Sequence, residues 1–142
     1  DGLKEFTING DSNRVIRFNP ADLNLLERFD QAEKVIEEEQ KKLQDDIKLK
    51  ASGEPVEEQE DFEESIKVIS KVNKLIKDQI DFIFDSDVSD VVFGNQSPMS
   101  TVKGKPLFER VFDAIRPVLE KEITKEMKAS EKRINKYTDQ IK

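Results

Sequence analysis

Between Phe62 and Ile83 the chain carries Phe62, Ile66, Ile69, Ile76, Ile80 and Ile83, at intervals of four, three, seven, four and three, with Asn73 at the skipped place. Residues three and four apart share one side of an α-helix, so this spacing writes one apolar seam along it. A strand sorts its side chains with a period of two and could not use the pattern. Val68, Val72, Leu75 and Phe82 widen the seam. A broad stripe belongs to a bundle helix more than to a strict two-stranded coil. The expected helix spans about residues 57–84.

A bundle helix needs neighbours. Leu23, Leu26, Phe29, Ile36, Leu43 and Ile47 predict another helix over about residues 20–50. Asn19-Pro20 opens it, with Asn capping free N–H groups and Pro at a position whose N–H would go unpaired. Gly53 and Pro55 break the pattern, so the two helices are expected to form an antiparallel hairpin over a short loop. A last helix is expected over about residues 106–140, striped by Phe108, Val111, Phe112, Ile115, Leu119, Ile123 and Met127 and kinked or broken at Pro117. Its tail, KASEKRINKYTDQIK, is basic and reads as an exposed helix end.

Two regions are not helical by pattern. Phe6-Thr7-Ile8 and Val15-Ile16-Arg17-Phe18 flank Asn9-Gly10, a strong hairpin-turn pair, giving a β-hairpin over about residues 5–18. Such a hairpin is marginal alone and must pack on something else. Residues 85–105 form a connector in which Ser89 to Phe93 suits one helical turn ended by Gly94, followed by an exposed loop from Asn95 to Gly104. The fold class is therefore mainly α: one domain of 142 residues, a helical hairpin plus a C-terminal helix, with a small N-terminal β-hairpin.

Composition narrows the chemistry. The chain has no His and no Cys, which removes the commonest acid–base, nucleophilic and zinc sites, and leaves no disulfide framework. Carboxylates are so abundant that no pair stands out, and no enzyme activity or cofactor is expected. A net charge of −7 without a dense basic stripe disfavours nucleic acid. No apolar run approaches the roughly 18 residues of a membrane span, and no signal peptide is evident. The chain opens on Asp1-Gly2 without Met, as expected of a processed or tagged chain.

Asp85-Ser86-Asp87-Val88-Ser89 looks like the start of a calcium loop, but its sixth position is Asp90 and its twelfth Gln96, where Gly and Glu are needed. A helix exit followed by a capped short turn explains it better. Glu37-Glu38-Glu39 and the acidic cluster from Glu54 to Glu64 suit a solvated helix face and a helix N-terminus.

Aromatic residues are only 7% of the chain, and five of its nine phenylalanines fall between Ile80 and Pro117. Phe82, Phe84, Phe93, Phe108 and Phe112 are the candidate partner-binding residues. Phe82, Phe108 and Phe112 lie on helical stripes and are expected to pack between helices. Phe84 and Phe93 flank a loop and are the expected contacts for a partner or a neighbouring copy.

In the order of its parts the chain resembles the tail assembly chaperones of long-tailed, siphovirus-type phages and prophages of Gram-positive bacteria. The resemblance runs through VIRFNPADLNLLERF, the polar helical hairpin, IDFIFDSDVSDVVFGNQSP, PLFERVFDAIRPVLEKEI and the KRINKYT tail. The acidic spacer Asp85 to Ser89 lacks the glycine expected in the corresponding turn. Membership would imply a non-enzymatic factor in the cytoplasm of the bacterial host, absent from the mature virion. It would bind the tape-measure protein, keep it soluble and help recruit the tail-tube protein. The alternative is a self-assembling helical structural or scaffolding protein of a phage or prophage, which makes a homo-oligomer the partner.

Overall fold

Asn9 and Gly10 both take left-handed backbone conformations, with φ of 54° and 71°. A two-residue hairpin loop needs that geometry at both central positions. The computed structural model describes residues 3–52 and 58–141. Its first element is the hairpin this turn closes, β1 (Lys4–Ile8) antiparallel to β2 (Asp11–Phe18). Phe6 lies opposite Ile16, and the face they share with Ile8 and Phe18 turns into the core. Thr7 pairs with Val15 but Ile8 pairs with Asp11, so Ser12 to Arg14 bulge out of the ladder.

The first helix, α1 (Leu23–Ser52), begins later than Asn19-Pro20 suggests. The Asn19 side chain accepts from the Ala21 N–H at 3.1 Å, and its carbonyl accepts from the Asp22 N–H at 3.1 Å. These bonds close a turn around buried Pro20. Asp22 then takes the capping position, accepting from the Asn24 N–H at 3.0 Å. The buried line of α1 is Leu25, Phe29, Ala32 and Ile36, and the expected Leu23 is instead 71% exposed.

Helix α2 (Glu58–Phe84) runs antiparallel to α1. Arg28 of α1 donates to the Ile83 carbonyl at 3.0 Å, while Glu39 pairs with Lys71 at 3.9 Å, so partners rise along one helix as they fall along the other. The break expected at Gly53 to Pro55 lies outside the described residues. A one-turn helix, α3 (Ser89–Phe93), follows and ends at Gly94 as its sequence indicates. The stretch from Asn95 to Gly104 is largely exposed, as its polarity suggests, but it is more ordered than a plain loop. Pro98 is fully buried, and β3 (Thr101–Val102) pairs with β4 (Lys105–Pro106) across Lys103 and Gly104, both at positive φ.

Helix α4 (Leu107–Ile141) completes the chain. Its 35 residues make a rod of about 52 Å. It runs through Pro117 rather than breaking there: the proline is on the exposed side, and buried Ile115 and Leu119 hold the backbone to the core on either side of it. The molecule is mainly α with a small N-terminal antiparallel hairpin.

The core lies where the β1–β2 hairpin, the first half of α1, the second half of α2, the connector and the first half of α4 meet. Beyond it, helices continue uncovered. Every residue from Asp61 to Lys67 of α2 and from Thr124 to Lys136 of α4 is exposed. No helix of the described residues is long and apolar enough to cross a membrane.

Candidate partner-binding surfaces

The connector is built around one carboxylate. Asp81, in the last turn of α2, accepts from the backbone N–H groups of Val88 and Ser89 at 2.9 and 2.8 Å, and from the Ser89 hydroxyl at 3.2 Å. It thereby caps α3 from another helix, because Val88 at the cap position has no side chain that could do so. Between the two helices, the chain turns on Asp85 at φ 48°. The Ser86 N–H returns to the Asp81 carbonyl at 3.1 Å and the Asp85 N–H to the Phe82 carbonyl at 3.3 Å. This pair of bonds is a Schellman motif, and Asp85 fills the place where glycine is usual. Aspartate is one of the few residues other than glycine that tolerate the left-handed conformation this turn requires.

From the other side, Arg14 reaches into the connector out of the β-bulge. Its Nε donates to the Val91 carbonyl at 2.8 Å and its Nη2 to the Val92 carbonyl at 2.7 Å. These are the orphan carbonyls at the end of α3. A Cβ built on Gly94 would meet that guanidinium at 3.6 Å, an ordinary contact, so it is the backbone at φ 61° that favours glycine there. Further on, the Ser97 hydroxyl bonds Asn73 at 2.6 Å. Asn73, the polar break in the α2 seam, thus secures the connector to the helix.

These ties decide where the five candidate phenylalanines lie. Phe93 is 1% exposed and Phe108 and Phe112 are buried with it. Phe84 is half-buried against Phe18, ring centroids 5.3 Å apart. Phe112 meets Phe29 at 5.4 Å, and the Arg116 guanidinium lies over the Phe29 ring at 5.4 Å. Only Phe82 of the five is exposed, at 41%. The expected division is therefore reversed for two residues. Phe93 is drawn inward because α3 packs on β2 through Arg14. Phe82 is left outward because it sits at the margin of the face that α2 gives to the core.

The exposed apolar residues cluster elsewhere. On the first half of α2, Phe62, Ile66 and Ile69 are 66%, 47% and 45% exposed. They continue the line of Ile76, Ile80 and Ile83, all fully buried, so one stripe passes from core to solvent where its covering stops. At the other end of the molecule, Leu23, Ile123, Met127 and Ile134 line an open groove of about 620 Å³ between the start of α1 and the second half of α4. Along the exposed part of the α2 seam, residues 61–69 carry Asp61, Glu63 and Glu64 against Lys67 alone. The α4 segment from residue 125 to 136 is rich in Lys and Arg, but the charged side chains that line the groove are its two acids, Glu126 and Glu131.

Among the described residues no group of three or more His, Cys, Asp or Glu could hold a metal ion. Asp81, the best-placed carboxylate near the calcium-like spacer, is committed to the α3 cap. The Lys34 ammonium is held above its ordinary value by the hydrogen bond and charge of Asp30, its neighbour one turn away. That is a helix-surface pair on the outside of α1, and nothing about it suggests chemistry.

Sequence reasoning missed Arg14, Asp81 and the Leu23–Met127 groove. A basic residue within a hairpin and an acid near a helix end are too common to single out. The signal available for the α4 surface was its period: Ile123, Met127, Ser130 and Ile134 keep intervals of four, three and four beyond the core. Comparison with protein-family models, with curated proteins and with solved structures finds no match for this chain.

Proposed function

We propose that this protein is a non-enzymatic tail assembly chaperone of a long-tailed phage or prophage. It would bind the tape-measure protein in the cytoplasm of the bacterial host, assist addition of the tail-tube protein, and stay out of the mature virion. The observation that carries this reading is the exposed seam of Phe62, Ile66 and Ile69 on a helix whose other half is fully embedded. A stable core holds that seam rigidly, so an amphipathic helix of a client can add to it as one more bundle helix. The acidic residues around the seam keep such a complex dispersed and suit a client whose apolar face is edged with lysine or arginine. The order of parts shared with the chaperone family supplies the identity of the client, which the surface alone does not.

Co-expression with the tape-measure protein of the same genome tests the proposal. A soluble complex is expected, lost when Phe62, Ile66 and Ile69 are all changed to Ser in a chain that keeps its melting temperature. A tape-measure protein that aggregates in the presence and in the absence of the chain overturns it.

A further inference from the structure

We infer that the cleft between the free edge of β1 and the first turns of α4 takes an extended, acidic peptide segment of a partner protein as a third strand. Among the described residues β1 pairs with β2 alone, so its other edge carries unpaired backbone groups. A cleft of about 720 Å³ touches Phe6, Thr7, Ile8 and Asn9 in unbroken succession. Successive strand residues point to opposite faces, so a cleft that reaches four in a row runs along the edge of the strand and not over one face. Of β2 it touches only Arg14, in the bulge. Leu107, Arg110, Val111 and Ala114 form the facing wall, one side of the first turns of α4. Lys4 and Glu122, 3.4 Å apart, tie β1 to α4 outside the cleft.

A backbone edge is satisfied by another backbone. Alternate N–H and C=O groups of β1 face away from β2, and an extended segment laid beside them matches their spacing as a helix does not. Four strand residues span about 13 Å, so the cleft holds a segment of about four residues. Charge sets the composition of that segment. The chain carries 31 acidic and 24 basic residues, yet the charged residues lining the cleft are Arg14 and Arg110, with no Asp or Glu among them. Arg14 uses two of its five N–H groups on the Val91 and Val92 carbonyls, which fixes the guanidinium and leaves donors over. Arg110 is exposed and, among the described residues, has no ion pair. Two guanidinium groups without a counter-charge suit carboxylates, which Arg bonds through two parallel N–H groups. The occupant is thus an extended segment that sets Glu or Asp among apolar residues. A second copy of this chain has no such run to offer among its described residues. Glu37 to Glu39 and Asp61 to Glu64 are helical, and Asp85 to Asp87 is bound into the turn after α2. This reading does not rest on the α2 seam, no residue of which lines the cleft.

The probe is an equimolar library of short peptides that alternate Val, Ile or Thr with Glu, Lys or Gln and are blocked at both ends. It is passed over the immobilised whole chain, and mass spectrometry identifies what is retained. Glu peptides are expected to be enriched about tenfold over their Lys and Gln counterparts. The best retained peptide is then titrated by fluorescence anisotropy. Arg110→Glu is expected to weaken its binding by about tenfold or more, with a circular dichroism melt like that of wild type. Two N-methylated forms of the peptide separate a strand from any other bound shape. Methylating alternate amides in one register should abolish binding, and in the other register should leave it, since only every second residue bonds to β1. No retained peptide, equal retention of Lys peptides, an Arg110→Glu chain that binds like wild type, or the same response to both methylation registers overturns the inference. So does a chain that sediments as a dimer and is made monomeric by Arg110→Glu, because that puts a second copy in the cleft.

Discussion

Ile76, Ile80 and Ile83 in the second half of α2 are fully buried, while Phe62, Ile66 and Ile69 in the first half are close to half exposed or more. All six stand on one line of one helix, and the first half holds the only aromatic side chain among them. What differs is the cover. The second half lies under the connector, α3 and the β1–β2 hairpin, held there by Asp81, Asn73 and Arg14. Among the described residues the first half has only α1 beside it. An apolar residue is a core residue when other elements are bound to lie over it, and helical periodicity alone does not say whether they are.

The largest test of this contrast compares matched truncations. Ile80→Ala removes packed atoms from a closed site and is expected to cost about 2–5 kcal/mol. Ile66→Ala is expected to change stability by no more than about 0.5 kcal/mol. Urea titrations followed by circular dichroism measure both, and equal losses would mean that the two halves are not differently covered. A smaller effect tests what holds the cover in place. Asp81→Ala strands the N–H groups of Val88 and Ser89 and is expected to cost about 1–2 kcal/mol. Asp81→Asn, which keeps one acceptor, should recover part of the loss. If Asp81→Ala melts like wild type, the connector is held by packing alone. The smallest change runs the other way. Asp85→Gly relieves a left-handed aspartate in the turn that starts the connector and should raise stability by about 0.5 kcal/mol. A loss instead would show that the aspartate side chain contributes to the turn.

These cases also mark how far the sequence could be read. Asn9-Gly10, Gly94 and the heptad intervals of α2 are local signals, and the hairpin, the end of α3 and the helix all stand where those signals place them. The β3–β4 hairpin escaped because its turn is Lys103-Gly104, and lysine is a poor marker of positive φ. The candidate surface was harder to read. Phe93 sits next to a glycine and a polar loop, which locally resembles a solvent-facing tip. Its burial depends on an arginine more than seventy residues earlier in the chain, aimed by a bulge that alternation of strand residues does not reveal. Phe62 and Ile66 failed in the opposite sense, since their pattern promised a neighbour that the fold does not provide.

The reach of Arg14 has a consequence in time. It donates to a carbonyl 77 residues further along the chain. During synthesis at roughly 5–20 residues per second, the N-terminal hairpin emerges several seconds before Val91 and Val92 exist to receive that bond. Through that interval Ile8, Ile16 and Phe18 have no lid, on a two-stranded sheet that is marginal by itself. The hairpin leaves the ribosome well before the elements that cover it, and a nascent chain halted before Val91 would still display the apolar face that the finished protein hides.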